Sequence, residues 1–329
     1  VVPAFNEAGN LPALLEQLVA QLPLMSTRWE VVVVDDGSRD HTPLAMLPWV
    51  RQPGVRYLRL SRNFGKEAAL TAGIEHARGD VVVLIDADLQ HPVEMLPAML
   101  ASWRQGTDMV CAVRATRADE TLIKRLGTKL FYWLVNAQSA VQIPPDAGDF
   151  RLMDRGVIDA LKSLPERNRF MKGLYAWVGF RTEVVHYTPN ERFAGKSSFS
   201  TRRLARLAFT GVTAFTNAPL RLWSGVGALV ALGAMCFGSW IIVQHFVQGH
   251  DVPGWATLVT GMMFFSGVQL LSIGMLGEYI GRIFDEVKQR PVYLVQSESG
   301  TGAMGASPAP ALASAAASVL PPVTSGPST

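Results

Sequence analysis

The chain has 329 residues, a net charge of +3, 49% hydrophobic residues and 17% charged residues. That is enough for one sizeable domain plus additions, and the charge is too small to argue for a nucleic-acid partner. The two cysteines, Cys111 in a strand pattern and Cys236 in an apolar run, argue against a disulfide framework or a zinc site.

Val1 to Glu7, VVPAFNE, reads as the end of a buried strand running into a turn. The chain opens inside this pattern without an initiator Met, so further residues are expected before Val1. Asn10 is placed to cap a helix through about Gln21, with Leu11, Leu14, Leu15 and Leu18 at helical spacing. Glu30 to Asp36 is a second buried strand and Val55 to Leu60 a third, followed by a helix from about Lys66 to Ala77. Val81 to Asp86 is the fourth strand and Met109 to Val113 the fifth. This alternation predicts an α/β domain with a mostly parallel sheet and helices on both faces.

The stretch Val81 to Pro92, VVVLIDADLQHP, is the pivot of the chain. Strand side chains alternate faces, so Asp86 and Asp88 are expected to point the same way at the strand's carboxyl end. With the Gln90 amide oxygen they make a hard oxygen set, suited to Mg²⁺ or Mn²⁺ that also grips a diphosphate. The alternative is a solvated turn in which Asp88 only caps the next helix. Acids recur at other strand ends: Glu7 after the first, Asp35 and Asp36 at the second. Ligands of open α/β sheets bind outside the carboxyl ends of the strands. Clustered like charges cost stability unless a cation or hydrogen-bond donors offset them. A nucleotide-and-metal site is therefore expected there. A formal G-x-G-x-x-G at Gly300 to Gly305 falls in the low-complexity tail with no strand expected before it, and carries no weight.

Leu204 to Thr216, with Arg202, Arg203 and Arg206 beside apolar residues, reads as an amphipathic helix at a membrane surface, with a core-facing helix as the alternative. Two apolar runs follow, Gly225 to about Val247 and Trp255 to about Leu276, each of roughly 22 residues and able to span roughly 30 Å of hydrocarbon. The loop from Gln248 to Gly254 has no Lys or Arg, whereas Arg202, Arg203, Arg206, Arg221, Arg282, Lys288 and Arg290 flank the spans. The positive-inside rule then predicts a membrane hairpin with both flanks and the main domain in the cytoplasm. Gly227, Gly233, Gly261 and Gly267 would permit close helix packing, within one chain or in a homo-oligomer. The expected division is 1–200 main domain, 201–224 interface helix, 225–247 and 255–277 spans, 278–296 cytoplasmic segment and 297–329 disordered tail.

VVPAFNE, VVVVDDGSRD, SRNFGKEAAL and IDADLQHP, in this order, resemble the family 2 glycosyltransferases of the GT-A fold. AGDFRLMDR at 147–155, ERNRFMKGLYAWVGF at 166–180 and RFAGKSSFS at 192–200 narrow the resemblance to the polyprenyl-phosphate glycosyltransferases. Those include dolichol-phosphate mannosyltransferase and bacterial bactoprenol glucosyltransferases. The resemblance runs from Val1 to about Gln296 and implies a metal-dependent, inverting transferase of the bacterial inner membrane. Such an enzyme moves a sugar from a nucleotide-diphosphate donor onto polyprenyl (undecaprenyl) phosphate at the cytoplasmic face. Glucose from UDP-glucose is the first choice; formamido-arabinose, mannose and an N-acetylhexosamine stay open.

By the same resemblance Pro3, Phe5, Glu7, Val34 and Asp36 would hold the nucleotide, with Asp36 facing the base or the ribose. Asp86, Ala87 and Asp88 would contact the donor, and Asp88 and Gln90 would ligate Mg²⁺ or Mn²⁺. Arg114 would face phosphate, and Arg192 would close over the diphosphate from a loop. The family loop usually carries Lys directly before its aromatic residue. Here Ser198 precedes Phe199 and the lysine is Lys196, so Arg192, Lys196 and Ser198 all stand for the acceptor phosphate. Asp149 would be the residue nearest the reacting centre. A phosphate monoester has its second pKa at about 6, so the acceptor is largely ionised at neutral pH and needs little help from a base. Asp149 then orients a substrate, removes a proton, or serves only as a cap. Two rival readings are a processive polysaccharide synthase, which lacks Q-x-x-R-W here, and a donor-binding scaffold without catalysis.

Overall fold

A computed structural model of the chain describes residues 1–114, 148–167, 169–188 and 254–301, with scattered positions between 225 and 247. Eight strands occur among them: β1 (Val2–Ala4), β2 (Val31–Asp35), β3 (Val55–Leu60), β4 (Val81–Leu84), β5 (Met109–Arg114), β6 (Arg151–Asp154), β7 (Thr182–Tyr187) and β8 (Val295–Ser299). The helices used below are α1 (Leu11–Met25), α2 (Thr42–Met46), α3 (Lys66–His76), α4 (Leu96–Arg104), α5 (Arg155–Ser163), α6 (Met171–Trp177) and α7 (Trp255–Val287).

The strands form two four-stranded ladders, β1-β2-β3-β8 and β4-β6-β5-β7. Main-chain bonds from Val1 N to the Val83 carbonyl (2.7 Å) and from Ile85 N to the Val1 carbonyl (3.1 Å) join them edge to edge. The valine run of β2 explains how helices come to cover both faces. Strand side chains alternate, so Val31 and Val33 pack with Leu11, Leu14, Leu15 and Leu18 of α1. Val32 and Val34 pack on the opposite face with Ala69 and Ala72 of α3. In β4, Val82 and Leu84 likewise join Leu70, Ile74 and the buried face of α5.

The expected mostly parallel sheet is corrected to a mixed one. β1–β2, β2–β3 and β5–β7 are parallel, whereas β3–β8, β4–β6 and β5–β6 are antiparallel. β6 and β8 cause the difference. Neither is an apolar run: β6 begins with Arg151, and β8 reads VQSES and is exposed along its length. β8 also moves the tail boundary. Ser297, Glu298 and Ser299 pair with Arg59, Leu58 and Tyr57, so the chain is ordered beyond the expected start of the tail. The G-x-G-x-x-G at Gly300 therefore does follow a strand, although the residues past 301 lie outside those described.

Helix α1 runs to Met25, further than expected, with Pro23 accommodated near its end. Asn10 occupies the cap position without a side-chain capping bond; its amide donates instead to the Glu7 carboxylate at 2.7 Å. The expected interface helix at 204–216 lies outside the described residues, whereas the first expected span is described at scattered positions, which are helical. The second expected span falls within α7, a continuous helix of 33 residues whose segment Gly261–Val287 is long and apolar enough to cross a membrane. α7 continues ten residues past the expected end at 277. Its far end reaches the domain: Glu286 accepts from Arg167 N at 3.1 Å, and the Arg167 guanidinium donates to the Arg290 carbonyl.

Candidate active site

The carboxyl ends of β1, β2 and β4 carry the acids, as expected, but each acid is used differently. Asp35 is fully buried, accepting from Ser38 N at 2.8 Å and from the Tyr57 hydroxyl. Asp36, 3% exposed, accepts from Phe64 N at 2.7 Å and Gly65 N at 2.9 Å, pinning the 61–65 loop to β2. Burial pushes its carboxyl up, against those two bonds. Gly37, at φ +67°, sits under the same loop, where a Cβ would meet the Arg62 carbonyl carbon at 2.5 Å. A side chain there would displace the loop. Val34 is buried behind this surface and pairs in register with buried Pro3. Phe5, just beyond β1, is 42% exposed. Glu7 is anchored by its main chain, whose N donates to Thr42 Oγ1 at 2.9 Å.

β4 ends at Leu84, and residues 87–89 form a turn with Leu89 at φ +60°. The strand alternation expected to align Asp86 with Asp88 therefore does not operate, and the turn separates their roles. Asp88 Oδ1 accepts from Gln90 N at 3.2 Å. Gln90 Oε1 accepts from Arg114 Nη2 at 3.0 Å, which joins the end of β5 to the segment after β4. Asp86 instead meets Lys66, with Nζ 2.7 Å from Oδ1 and 2.9 Å from Oδ2. The same ammonium lies 2.7 Å from Asp149 Oδ2. Ala87 is buried.

Asp149 leads into β6. Burial alone would raise its pKa, but Lys66, Lys172 and Arg151 outweigh burial and hold the carboxyl below its ordinary range. Burial likewise works against the charge on Lys66, yet Asp86 and Asp149 raise its pKa above the usual lysine value. Arg151 lies behind Asp149, its guanidinium 3.7 Å over the Tyr175 ring and 2.7 Å from the Gly148 carbonyl. Asp149 Oδ1, Arg151 Nε and the Tyr175 hydroxyl are buried with no hydrogen-bond partner among the described residues. His91 stacks on Phe150 with centroids 4.8 Å apart, and its Nδ1 accepts from Asp86 N at 3.3 Å. Burial lowers the His91 pKa, in agreement with an unprotonated, accepting Nδ1.

The structure thus gathers Lys66, Asp86 and Asp149 at one point, and Asp88, Gln90 and Arg114 at another. Arg192, Lys196 and Ser198 lie outside the described residues. Sequence reasoning assigned no role to Lys66, Glu67, His91, Arg151 or Tyr175, although all five fall inside the motifs quoted above. Lys66 offered a signal: a cation at a helix N-terminus opposes the helix dipole and needs a local reason.

No three His, Cys, Asp or Glu side chains converge as a metal cluster among the described residues. The donor chemistry still suits a divalent cation. Mg²⁺ keeps several waters and takes one or two carboxylates plus substrate phosphates, so an oxygen set such as Asp88 and Gln90 fits without a closed protein cage.

A model of glycosyl transferase family 2 matches residues 1–162, and a GtrB C-terminal hairpin model matches residues 218–283. An uncharacterised glycosyltransferase of Synechocystis sp. is 42% identical over 296 residues, covering 90% of this chain and 93% of the relative. The bactoprenol glucosyl transferase of Shigella phage SfV is 44% identical over 299 residues, covering 91% of this chain and 97% of the relative. A solved mannosyltransferase of Pyrobaculum calidifontis, in complex with GDP-Man and Mn²⁺, is 18% identical over 87% of this chain and 85% of that one, with a TM-score of 0.42. The fold and the family match define an α/β transferase domain, followed by a hairpin region whose described residues include one helix of membrane length. The chain belongs to glycosyltransferase family 2.

Proposed function

We propose that the protein transfers glucose from UDP-glucose to bactoprenol (undecaprenyl) phosphate, with inversion, at the cytoplasmic face of the bacterial inner membrane. The observation that carries this reading is the likeness to a bactoprenol glucosyl transferase along 97% of that relative, hairpin included. In this reading the hairpin crosses the membrane twice and holds the domain where a lipid phosphate emerges. Close packing of the hairpins would also allow a homo-oligomer.

Phe5 and Glu7 frame the nucleotide, Asp36 supports that frame by holding the 61–65 loop, and Pro3 and Val34 lie behind them. Asp86, Ala87 and Asp88 face the donor sugar and diphosphate. Asp88 and Gln90 would hold Mg²⁺ or Mn²⁺, whose charge would offset that of the departing diphosphate. Arg114, Arg192, Lys196 and Ser198 bind phosphate. The acceptor phosphate is itself the nucleophile, so Asp149 serves chiefly to orient it. Its depressed pKa makes it a weak base and supports that role.

A donor screen tests the sugar. Purified full chain, metal and undecaprenyl phosphate are offered UDP-glucose, GDP-mannose, UDP-N-acetylglucosamine and a formamido-arabinose donor in turn. Lipid-linked glucose should dominate; preference for another donor would reassign the sugar.

A further inference from the structure

Lys66 opens α3, where the helix dipole disfavours a positive charge. Among the described residues its ammonium bridges Asp86, on the donor side of the site, and Asp149, on the β6 side. We propose that Lys66 is a catalytic residue that contacts a phosphoryl oxygen of the substrates, an assignment that rests on the transferase reading above. An ammonium has three N–H donors. Three carboxylate oxygens lie within 2.9 Å of it, two of Asp86 and one of Asp149, while the side chain is still 46% exposed, so an incoming phosphoryl oxygen can take over one of these contacts.

A second observation points the same way. Asp149 Oδ1, beside this ammonium, is buried and has no hydrogen-bond partner among the described residues. Among the described residues the pair thus leaves one carboxylate oxygen unpartnered beside an ammonium that two carboxylates share. A phosphoryl oxygen, P–O⁻, is the complement of the ammonium.

Charge supplies the need. Asp86, Asp88 and Asp149 would repel an incoming phosphate, and like charges within a few ångströms are costly. Lys66 lies between two of these carboxylates. Lysine also suits a contact that must change hands. Its compact ammonium, with rotatable donors, can pass from a carboxylate to a phosphate without the planar fork that arginine would impose. The phosphoryl oxygen belongs either to the lipid acceptor or to the donor diphosphate.

The test uses the full chain in detergent with Lys66→Met and Lys66→Arg. Calorimetry gives the affinities for UDP, UDP-glucose and inorganic phosphate, and steady-state turnover gives KM for undecaprenyl phosphate. A contact to the acceptor predicts that Lys66→Met raises that KM by ~10–100-fold, the usual range for losing a charged hydrogen bond, with UDP affinity unchanged and Lys66→Arg intermediate. A contact to the donor predicts the same loss in UDP and UDP-glucose affinity instead. Affinities for both substrates within about twofold of wild type would overturn the proposal, whatever happens to kcat; ~2-fold is well below the loss of one charged bond. Recovery of turnover in Lys66→Met/Asp86→Asn would then assign Lys66 to charge neutralisation alone. If Lys66→Met does not fold, Lys66→Gln is read in its place. If wild type forms no lipid-linked sugar, the transferase reading fails, and the UDP and phosphate affinities still decide the role of Lys66.

Discussion

The Arg56 guanidinium, 1% exposed, donates to the Glu298 carboxylate at 2.7 Å across 242 positions of the chain. On its other side it meets Glu30 at 3.0 Å and the His76 carbonyl at 2.9 Å. A buried guanidinium left short of partners is expensive, so this relationship ties the segment after α7 back onto the β1-β2-β3 sheet. Tyr293 adds a second tie, its hydroxyl donating to Glu75 at 2.6 Å.

Glu298→Ala should therefore destabilise the domain by about 1.5–3 kcal/mol, the range for a hydrogen bond to a charged group, because Glu30 keeps Arg56 partly paired. Thermal unfolding of the detergent-purified chain checks this. Glu298→Gln, which keeps an acceptor oxygen, should lose less. Equal stability of Glu298→Ala and wild type would mean that β8 does not brace the sheet.

Much of the fold was legible because β2 and β4 are uninterrupted apolar runs and α1 repeats leucine at helical spacing. β6 was not, because its first residue, Arg151, is a buried charge made tolerable by the Tyr175 ring and the Gly148 carbonyl. β8 was hidden by its polar sequence, which suits an exposed edge strand. At the site the acids were legible as charges at strand ends, but their partners were not. Asp36 reads as a ligand-facing acid, yet both its oxygens hold the 61–65 loop. Lys66 reads as a helix start, since its carboxylate partners are remote in sequence.

Asp149 gives a prediction in pH. Lys66 holds its carboxyl below the ordinary range, so it stays charged at neutral pH and is a poor proton acceptor. Asp149→Asn should keep measurable turnover above about pH 7.5, where a phosphate monoester with a pKa of about 6 is dianionic. The deficit should widen as pH falls through that pKa, because the monoanion still has a proton to lose. Rates for wild type and variant across pH, with donor affinity alongside, check this. Complete loss at every pH with donor binding intact would make Asp149 an obligate base.

Glu67 carries a stability signature. Burial first, then the charge of Asp149, pushes its pKa up to about 7 from 4.5. A raised folded-state pKa means that the fold prefers the neutral acid. Its contribution is fully present below the unfolded value and is lost as pH rises through about 7. Glu67→Gln keeps an acceptor for Met171 N and fixes the neutral form. Its melting temperature should match wild type at acid pH and exceed it above pH 7, as followed by unfolding across the pH range. Parallel curves would contradict this.

Metal binding isolates Asp88 from the rest of the site. If Asp88 and Gln90 hold the divalent ion, Asp88→Asn should weaken Mn²⁺ binding by ~100-fold or more, beyond the usual effect of losing an outer-shell partner. Added metal should restore little activity. Mn²⁺ binding can be followed by electron paramagnetic resonance in the presence of UDP. Wild-type binding by the folded variant would remove Asp88 from the ligand set.

The central claim is that one sugar is joined to a lipid phosphate. Its most direct measurement is mass spectrometry of the lipid extract after the purified full chain is incubated with UDP-glucose, Mg²⁺ or Mn²⁺, and undecaprenyl phosphate. The predicted result is undecaprenyl phosphate heavier by a single hexose, formed with release of one UDP per lipid and absent when either substrate is omitted. Lipid that stays unmodified while UDP-glucose is bound, or glucose built into a polymer free of lipid, would contradict it.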